Sequence, residues 1–196
     1  MKISIINYNA GNVQSVLFAM KRLGIKANLT DNIEEIQKSD KVIFPGVGEA
    51  SSTMAFLKDK KLDSVIINLK QPVLGICLGM QLMCAYSEEN ETPCLGIFPS
   101  KVRKFLFTDP KSKVPHMGWN LIQDLKGDIF DESLEGAFTY FVHGFYVEKN
   151  EFTTATCDYI IPFSAAIQKE NFYATQFHPE KSGSVGERIL TNFLTI

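Results

Sequence analysis

Short apolar, β-branched runs alternate with segments of 3.6-residue periodicity through the first half of the chain. "KISIINY", "KANL", "KVIF" and "PVLGI" read as strands; "NVQSVLFAMKRLG", "DNIEEIQKS" and residues 54–69 read as the helices between them. In the first helix Val13, Val16, Leu17 and Met20 fall at i, i+3, i+4 and i+7, and Gly24 stands where a left-handed residue closes the last turn. Strands alternating with helices predict βαβ units, hence a parallel sheet covered by helices. After roughly Thr92 the pattern changes. "KVRKFLF", "TYFVHGFYV", "TTATC", "SAAIQ" and "FYATQF" are strand-like pieces joined by polar turns, and a last helix carries Ile189, Leu190, Phe193 and Leu194 as its buried stripe. No repeat, low-complexity tract or linker interrupts the chain, so one domain over residues 1–196 is expected.

Composition narrows the classes. A chain of 196 residues that is 45% hydrophobic can bury a substantial core. Lys plus Arg (20) nearly balance Asp plus Glu (22), so the formal charge of −2 gives no electrostatic ground for binding nucleic acid or an anionic membrane. The N-terminal apolar run ends at Asn7, too short for a secretory segment or a membrane span, and a soluble cytoplasmic protein is expected. Cys77, Cys84, Cys94 and Cys157 have no CxxC spacing, which predicts reduced thiols rather than a disulfide or zinc framework. No metal or cofactor is expected.

One of these cysteines stands apart. "GICLG" sets Cys77 between two glycines where a buried strand meets a helix, the arrangement of a nucleophile elbow. A sulfur there lies at a helix N-terminus, where N–H groups and the macrodipole favour an anion. The Leu78 amide would point to where an oxyanion forms. Packing is the ordinary use of a free cysteine, and Cys84, Cys94 and Cys157 keep that reading.

A nucleophilic cysteine needs a base, and the chain has three histidines. "QFHPEKS" places Glu180 two residues after His178, on the same side of an extended segment. The carboxylate could hold one ring nitrogen and leave the other for a thiol; spacing alone equally allows a surface pair. His143 in "YFVHGFYV" and His116 in the loop "VPHMGWN" read first as satisfied core or loop residues. "PGVG", residues 45–48, is either an ordinary strand-to-helix turn or a loop presenting N–H donors to a ligand. Gln81, one helical turn after Cys77, is either satisfied by backbone or the partner of a substrate amide or amino-acid head group.

"PGVG", "GICLGMQ", "PHMGWN", "YFVHGF" and "ATQFHPEKSG" occur in this order, and together they resemble the triad-type class I glutamine amidotransferases. "PHMGWN" and the N-terminal "AGN" resemble one branch, the glutaminase subunits of imidazole glycerol phosphate synthases. The resemblance covers essentially the whole chain. It implies a flavodoxin-like three-layer α/β fold, with a central mostly parallel sheet between helices and extra antiparallel strands in the second half. It implies catalysis by Cys77, His178 and Glu180, an oxyanion hole from Val47, Gly48 and Leu78, and glutamine bound by Gly48, Gln81, Glu89, His143, Gly144 and Phe145. Ammonia released there would pass to a (β/α)₈ cyclase subunit docked as a heterodimer against Asn12, Trp119, Tyr140 and Lys181. The glutaminase of this family is weak until the cyclase carries its nucleotide, which makes the segment around Val47 the expected switch.

Some positions depart from that pattern: Asn7 and Asn9 stand where many members have aspartate and glycine, and Gly144-Phe145 where serine-tyrosine is common. If contacts at Gly144 and Phe145 use backbone atoms, the change matters little. Competing readings are an amidotransferase serving another synthase, a stand-alone cysteine hydrolase of the same fold, or a non-catalytic docking scaffold. "PHMGWN" argues against the first two and the intact Cys77, His178 and Glu180 against the third.

Overall fold

The computed structural model describes residues 1–8, 13–106 and 113–196. The first half builds β1 (Ile3–Ile6), α1 (Val13–Arg22), β2 (Ala27–Thr30), α2 (Ile33–Gln37), β3 (Lys41–Phe44), α3 (Ala50–Asp59), α4 (Leu62–Ile67), β4 (Val73–Ile76) and α5 (Leu78–Met83). The second half adds β5 (Cys84–Ser87), β6 (Thr92–Pro93), β7 (Phe98–Lys104), β8 (His116–Leu121), β9 (Phe138–His143), β10 (Phe145–Val147), β11 (Thr153–Tyr159), β12 (Ile161–Lys169), β13 (Phe172–Thr175) and α6 (Gly183–Thr195).

A seven-stranded sheet in the order β11-β12-β13-β4-β3-β1-β2 forms the centre. From β13 to β2 all pairings are parallel, and β12 runs antiparallel to both of its neighbours. The inner strands are buried on both faces, and alternation sends their side chains to two cores. Ile3, Ile5, Ile43, Leu74 and Ile76 pack with Val16 and Met20 of α1 and Ile189, Leu190 and Phe193 of α6. Ile6, Val42, Phe44 and Val73 pack with Met54 and Leu57 of α3, Leu62 and Ile66 of α4, and Met80 of α5. The result is three layers, as expected. Among the described residues no helix is long and apolar enough to cross a membrane.

The structure departs from the sequence reading in four places. The helix expected over residues 54–69 is two helices, broken where Lys61 adopts a left-handed φ of 58°. It also starts earlier, at Ala50, because the Glu49 carboxylate caps the first turn by accepting from the Ser51 and Ser52 N–H groups. α5 has only six residues; Cys84 turns extended and leads into β5 of a second sheet, ordered β10-β7-β5-β6. "HMGWNL" is not a loop but β8, paired antiparallel with β9 so that Trp119 faces Tyr140. "TYFVHGFYV" breaks at Gly144, with β9 pairing to β8 and β10 to β7.

β4 lies between β3 and β13, so its carboxyl end is flanked by two further loops, the usual ligand crevice of an open parallel sheet. Close approach of α5 makes that crevice possible. A Cβ on Gly79 would lie 2.0 Å from the Phe44 carbonyl oxygen, a backbone atom that cannot give way cheaply. Gly79→Ala is therefore expected to lower stability by about 1–3 kcal/mol, the usual range for overpacking. Urea unfolding of the two proteins measures it.

Candidate active site

Cys77 is the residue at which β4 becomes α5, and its backbone is held at φ 52°, ψ −103°. Left-handed backbone at a non-glycine residue costs about 1–3 kcal/mol and persists only where neighbours enforce it. Here the Cys77 N–H continues the sheet ladder to the Thr175 carbonyl at 2.7 Å, while its own carbonyl accepts the Gln81 N–H at 3.2 Å. The side chain is thereby aimed away from both strand and helix. Sγ lies 3.8 Å from the Val142 carbonyl, and Gln176 Nε2 lies 3.6 Å from it.

The segment after β13 brings His178 to this turn. Its Nδ1 lies 2.8 Å from Glu180 Oε1, and both side chains are essentially inaccessible to solvent. The pair is not on an extended stretch, as its i, i+2 spacing suggested. Pro179–Lys181 forms a single 3₁₀ turn with proline in its first position, and the turn swings Glu180 back under the ring. The His178 N–H donates to the Tyr140 carbonyl at 2.9 Å, and the Ser182 hydroxyl donates to the His178 carbonyl at 2.7 Å while accepting the Tyr140 N–H at 3.0 Å. Nε2, buried and without another hydrogen-bond partner among the described residues, is left for the Cys77 sulfur. Burial alone would lower the pKa of His178. Cys77, through charge and hydrogen bonding, and then Glu180 outweigh it and raise the value to about 10.

A cavity of about 230 Å³ opens beside the sulfur. Val47, Gly48, Leu78, Gln81, Glu89, His143, Gly144 and Phe145, all expected from the sequence, line it together with Cys77. Pro115 and Val142 join them and were not expected. Gln81 donates to the Phe145 carbonyl at 3.1 Å and to Gln176 Oε1 at 3.0 Å, so both amide hydrogens are committed within the protein and its oxygen is the atom for a further partner. Glu89 accepts the Ala50 N–H at 2.8 Å, and burial raises its pKa.

One expectation needs correction. The Leu78 N–H is engaged rather than waiting for an oxyanion, donating to the Gly46 carbonyl at 3.3 Å. Gly46 can come this close because it has no side chain: a Cβ there would sit 2.0 Å from the Tyr8 hydroxyl. Tyr8 in turn donates to the Pro45 carbonyl and fixes the start of the Pro45–Gly48 segment. Besides Pro115 and Val142, Tyr8 and Gln176 are residues that sequence reasoning missed. Gln176 precedes His178 by two positions, which is the only local signal it gave; Tyr8 gave none, because its partner is 37 residues away.

The remaining histidines are satisfied core residues, as first read. His116 Nδ1 lies 3.1 Å from His143 Nε2, and burial holds both pKa values down, to about 4 and about 3. Of the residues expected at a partner surface, Trp119 and Tyr140 stack edge to face at 6.0 Å and Lys181 Nζ lies 5.9 Å above the Tyr140 ring. Asn12, like Asn9, lies outside the described residues.

These shifts set opposite pH slopes. His116 and His143 fold neutral, so the unfolded chain, with ordinary values near 6.5, binds more protons below that pH and stability is lost as pH falls. His178 folds protonated, so its contribution is complete below about pH 6.5 and is lost as pH rises through about 10. Melting temperature is expected to peak near pH 6.5, and Cys77→Ala, which removes the main group raising His178, is expected to weaken the alkaline slope. A slope in Cys77→Ala equal to that of the parent chain would contradict the assignment.

Residues 4–196 match the model of the class-I glutamine amidotransferase family. An imidazole glycerol phosphate synthase subunit HisH from Bacteroides fragilis is 58% identical over 196 residues, all of both chains. The subunit of that name from Pasteurella multocida is 49% identical over 193 residues, covering 98% of this chain and 96% of the relative. Among solved structures, a glutamine amidotransferase superposes with a TM-score of 0.76 at 17% identity, covering 98% of this chain and 97% of its own. Another, from Thermotoga maritima, gives 0.62 at 16%, over 100% and 83%. The strained cysteine turn, the buried histidine–carboxylate pair and the full-length identity agree, and the chain belongs to the class-I glutamine amidotransferase family, in its branch of imidazole glycerol phosphate synthase HisH subunits.

Proposed function

We propose that the chain is the glutaminase subunit of an imidazole glycerol phosphate synthase, that it hydrolyses glutamine to glutamate and ammonia through a γ-glutamyl thioester on Cys77, and that the ammonia is used by a cyclase subunit. The observation that carries this is the convergence of Cys77 and the polar groups of Gln81 and Glu89 on one cavity at the end of β4, with the buried His178–Glu180 pair against the same sulfur. A side-chain amide fits there with its carbon at the sulfur. Glu89 suits the α-ammonium of an amino-acid head group, and the Gln81 oxygen and the Gly144–Phe145 backbone suit its remaining polar atoms.

The sulfur attacks the carboxamide carbon. His178 carries the proton on Nε2, so its first act is to give that proton to the departing nitrogen as the C–N bond breaks. The neutral ring then takes a proton from water as the oxygen attacks the thioester and keeps it when the C–S bond breaks, so the sulfur leaves as thiolate and the starting pair is restored. Glu180 holds Nδ1–H throughout and keeps Nε2 aimed at the reaction. The Val47–Gly48 peptide and the Leu78 N–H would receive the oxyanion. Leu78 can serve only after releasing the Gly46 carbonyl, so the Pro45–Gly48 segment must rearrange for full activity.

A partner is a natural source of that rearrangement. β8 and β9 form a two-stranded ribbon whose outer face carries Met117, Trp119 and Phe138, each more than half exposed, beside Tyr140. Apolar surface of this kind on a two-stranded ribbon calls for a covering protein. The same ribbon supplies the Tyr140 and Val142 carbonyls that meet His178 and Cys77. A cyclase docked against Trp119, Tyr140 and Lys181 would thus act directly on the backbone behind the triad. The four free cysteines fit a reducing compartment, and we place the enzyme in the cytoplasm.

Glutaminase rate measured with and without the cyclase and its nucleotide should show a large stimulation. Cys77→Ala should abolish glutamine-dependent synthase activity, a loss of at least about 10³-fold, and leave ammonia-dependent synthase activity intact. Equal glutamine turnover in Cys77→Ala would sink the assignment.

A further inference from the structure

His116 and His143 are both buried, and neither belongs to the triad. Their protonation can be read from their neighbours. A peptide carbonyl only accepts, so the Phe145 carbonyl 2.7 Å from His143 Nδ1 places the hydrogen on that nitrogen. A neutral ring has one N–H, which leaves His143 Nε2 as an acceptor, and the His116 Nδ1 facing it at 3.1 Å must donate. His116 Nε2 is then an acceptor, directed at the Asn120 side-chain nitrogen at 3.4 Å. Asn120 cannot be turned round. Its Nδ2 also donates to the Asp158 carbonyl at 3.0 Å, and its Oδ1 accepts the Leu121 N–H at 2.8 Å. Both ends of the series are therefore fixed by backbone groups, and every hydrogen between them is assigned.

The Phe145 carbonyl that ends this series is also the acceptor for Gln81, whose other hydrogen goes to Gln176, whose own amide nitrogen lies 3.6 Å from the Cys77 sulfur. One continuous set of hydrogen bonds thus runs from the middle of β8, one residue from Trp119, to the glutamine pocket and the sulfur. The rings cannot slide to accommodate a change. His116 is stacked between Tyr159 at 3.9 Å and Phe141 at 4.8 Å, and Phe163 packs edge-on to His143 at 5.1 Å. A second proton would set N–H against N–H, at the 3.1 Å contact if His143 carried it and at the 3.4 Å contact with Asn120 if His116 did, and burial, with the His178 charge acting on His143, disfavours one.

We propose that His116 and His143 are positioning residues of the glutaminase reaction, a pair of neutral rings each protonated on Nδ1, which fixes the Phe145 carbonyl and Gln81 to the strand that carries Trp119. The proposal rests on the glutaminase reading above. It makes glutamine affinity depend on β8, since a displaced ring pair withdraws the group that orients the Gln81 amide, while the sulfur and His178 stay in place.

Two measurements test it. In ¹⁵N-labelled full-length chain at pH 7.5, long-range ¹H–¹⁵N correlations of the imidazoles should show both rings neutral with hydrogen on Nδ1. An Nε2–H ring or an imidazolium at either position overturns the proposal, whatever the enzyme does. In the complex with cyclase and its nucleotide, His116→Phe keeps the stacked ring and deletes both nitrogens. It should raise KM for glutamine about tenfold, as expected for a lost buried hydrogen bond, with kcat within about threefold and ammonia-dependent turnover unchanged. His116→Asn, which returns an N–H donor near the place of Nδ1, should recover most of the KM. An unchanged KM in His116→Phe, or equal impairment in the two variants, overturns the positioning role. No glutamine hydrolysis by the parent complex would instead sink the glutaminase reading, and the positioning role with it.

Discussion

The backbone of Cys77 is the constraint on which the rest of the site depends. A non-glycine residue at φ 52° is uphill by itself, and it is held there from both sides: by the ladder bond to Thr175 on the strand side and by the first turn of α5 on the other. α5 can start so abruptly only because Gly75 and Gly79 let it lie against β4 and the end of β3, where side chains would meet Met83 and the Phe44 carbonyl. The elbow is therefore a property of three strands and a helix. Its consequence is that one sulfur is lifted out of an otherwise apolar run and faces the loops after β3 and β13.

Three buried histidines then show how little burial alone decides. It pushes all of them toward the neutral ring. His116 and His143 meet only each other, carbonyls, an amide and aromatic faces, and they remain neutral. His178 meets a cysteine on one nitrogen and a carboxylate on the other, and those two partners reverse the sign. Acid–base chemistry is thereby confined to one ring of three, and the other two are free to act as fixed connectors.

The loop after β3 is held by hydrogen bonds within the protein. Tyr8 fixes the Pro45 carbonyl and Leu78 spends its N–H on Gly46, so one of the two proposed oxyanion donors is engaged within the protein. The β8–β9 ribbon lies across the crevice with an apolar outer face and with backbone carbonyls on both His178 and Cys77. The exposed apolar face and the backbone carbonyls behind His178 and Cys77 thus belong to one ribbon, which is the physical ground for the proposed dependence on a partner.

The sequence by itself determined the strand–helix alternation, the two-sided burial of the parallel strands and the cysteine turn between strand and helix, because periodicity, β-branching and glycine spacing are local quantities. Motif resemblance then supplied the members of the cavity that spacing left ambiguous: Val47, Gly48, Gln81, Glu89 and the Gly144–Phe145 backbone. The tertiary structure decided what depends on partners far along the chain. The short 3₁₀ turn replaced the extended His178–Glu180 segment because proline starts a turn there, and "HMGWNL" became a strand because β9 pairs with it. Gln176 and Tyr8 entered the site through contacts with Gln81 and Pro45, which no local pattern records. Whether the Leu78 amide is available was equally invisible, since its acceptor, Gly46, sits on a different strand end. A hydrogen bond between residues 32 positions apart has no signature in either neighbourhood, and it is the fold that brings them within reach.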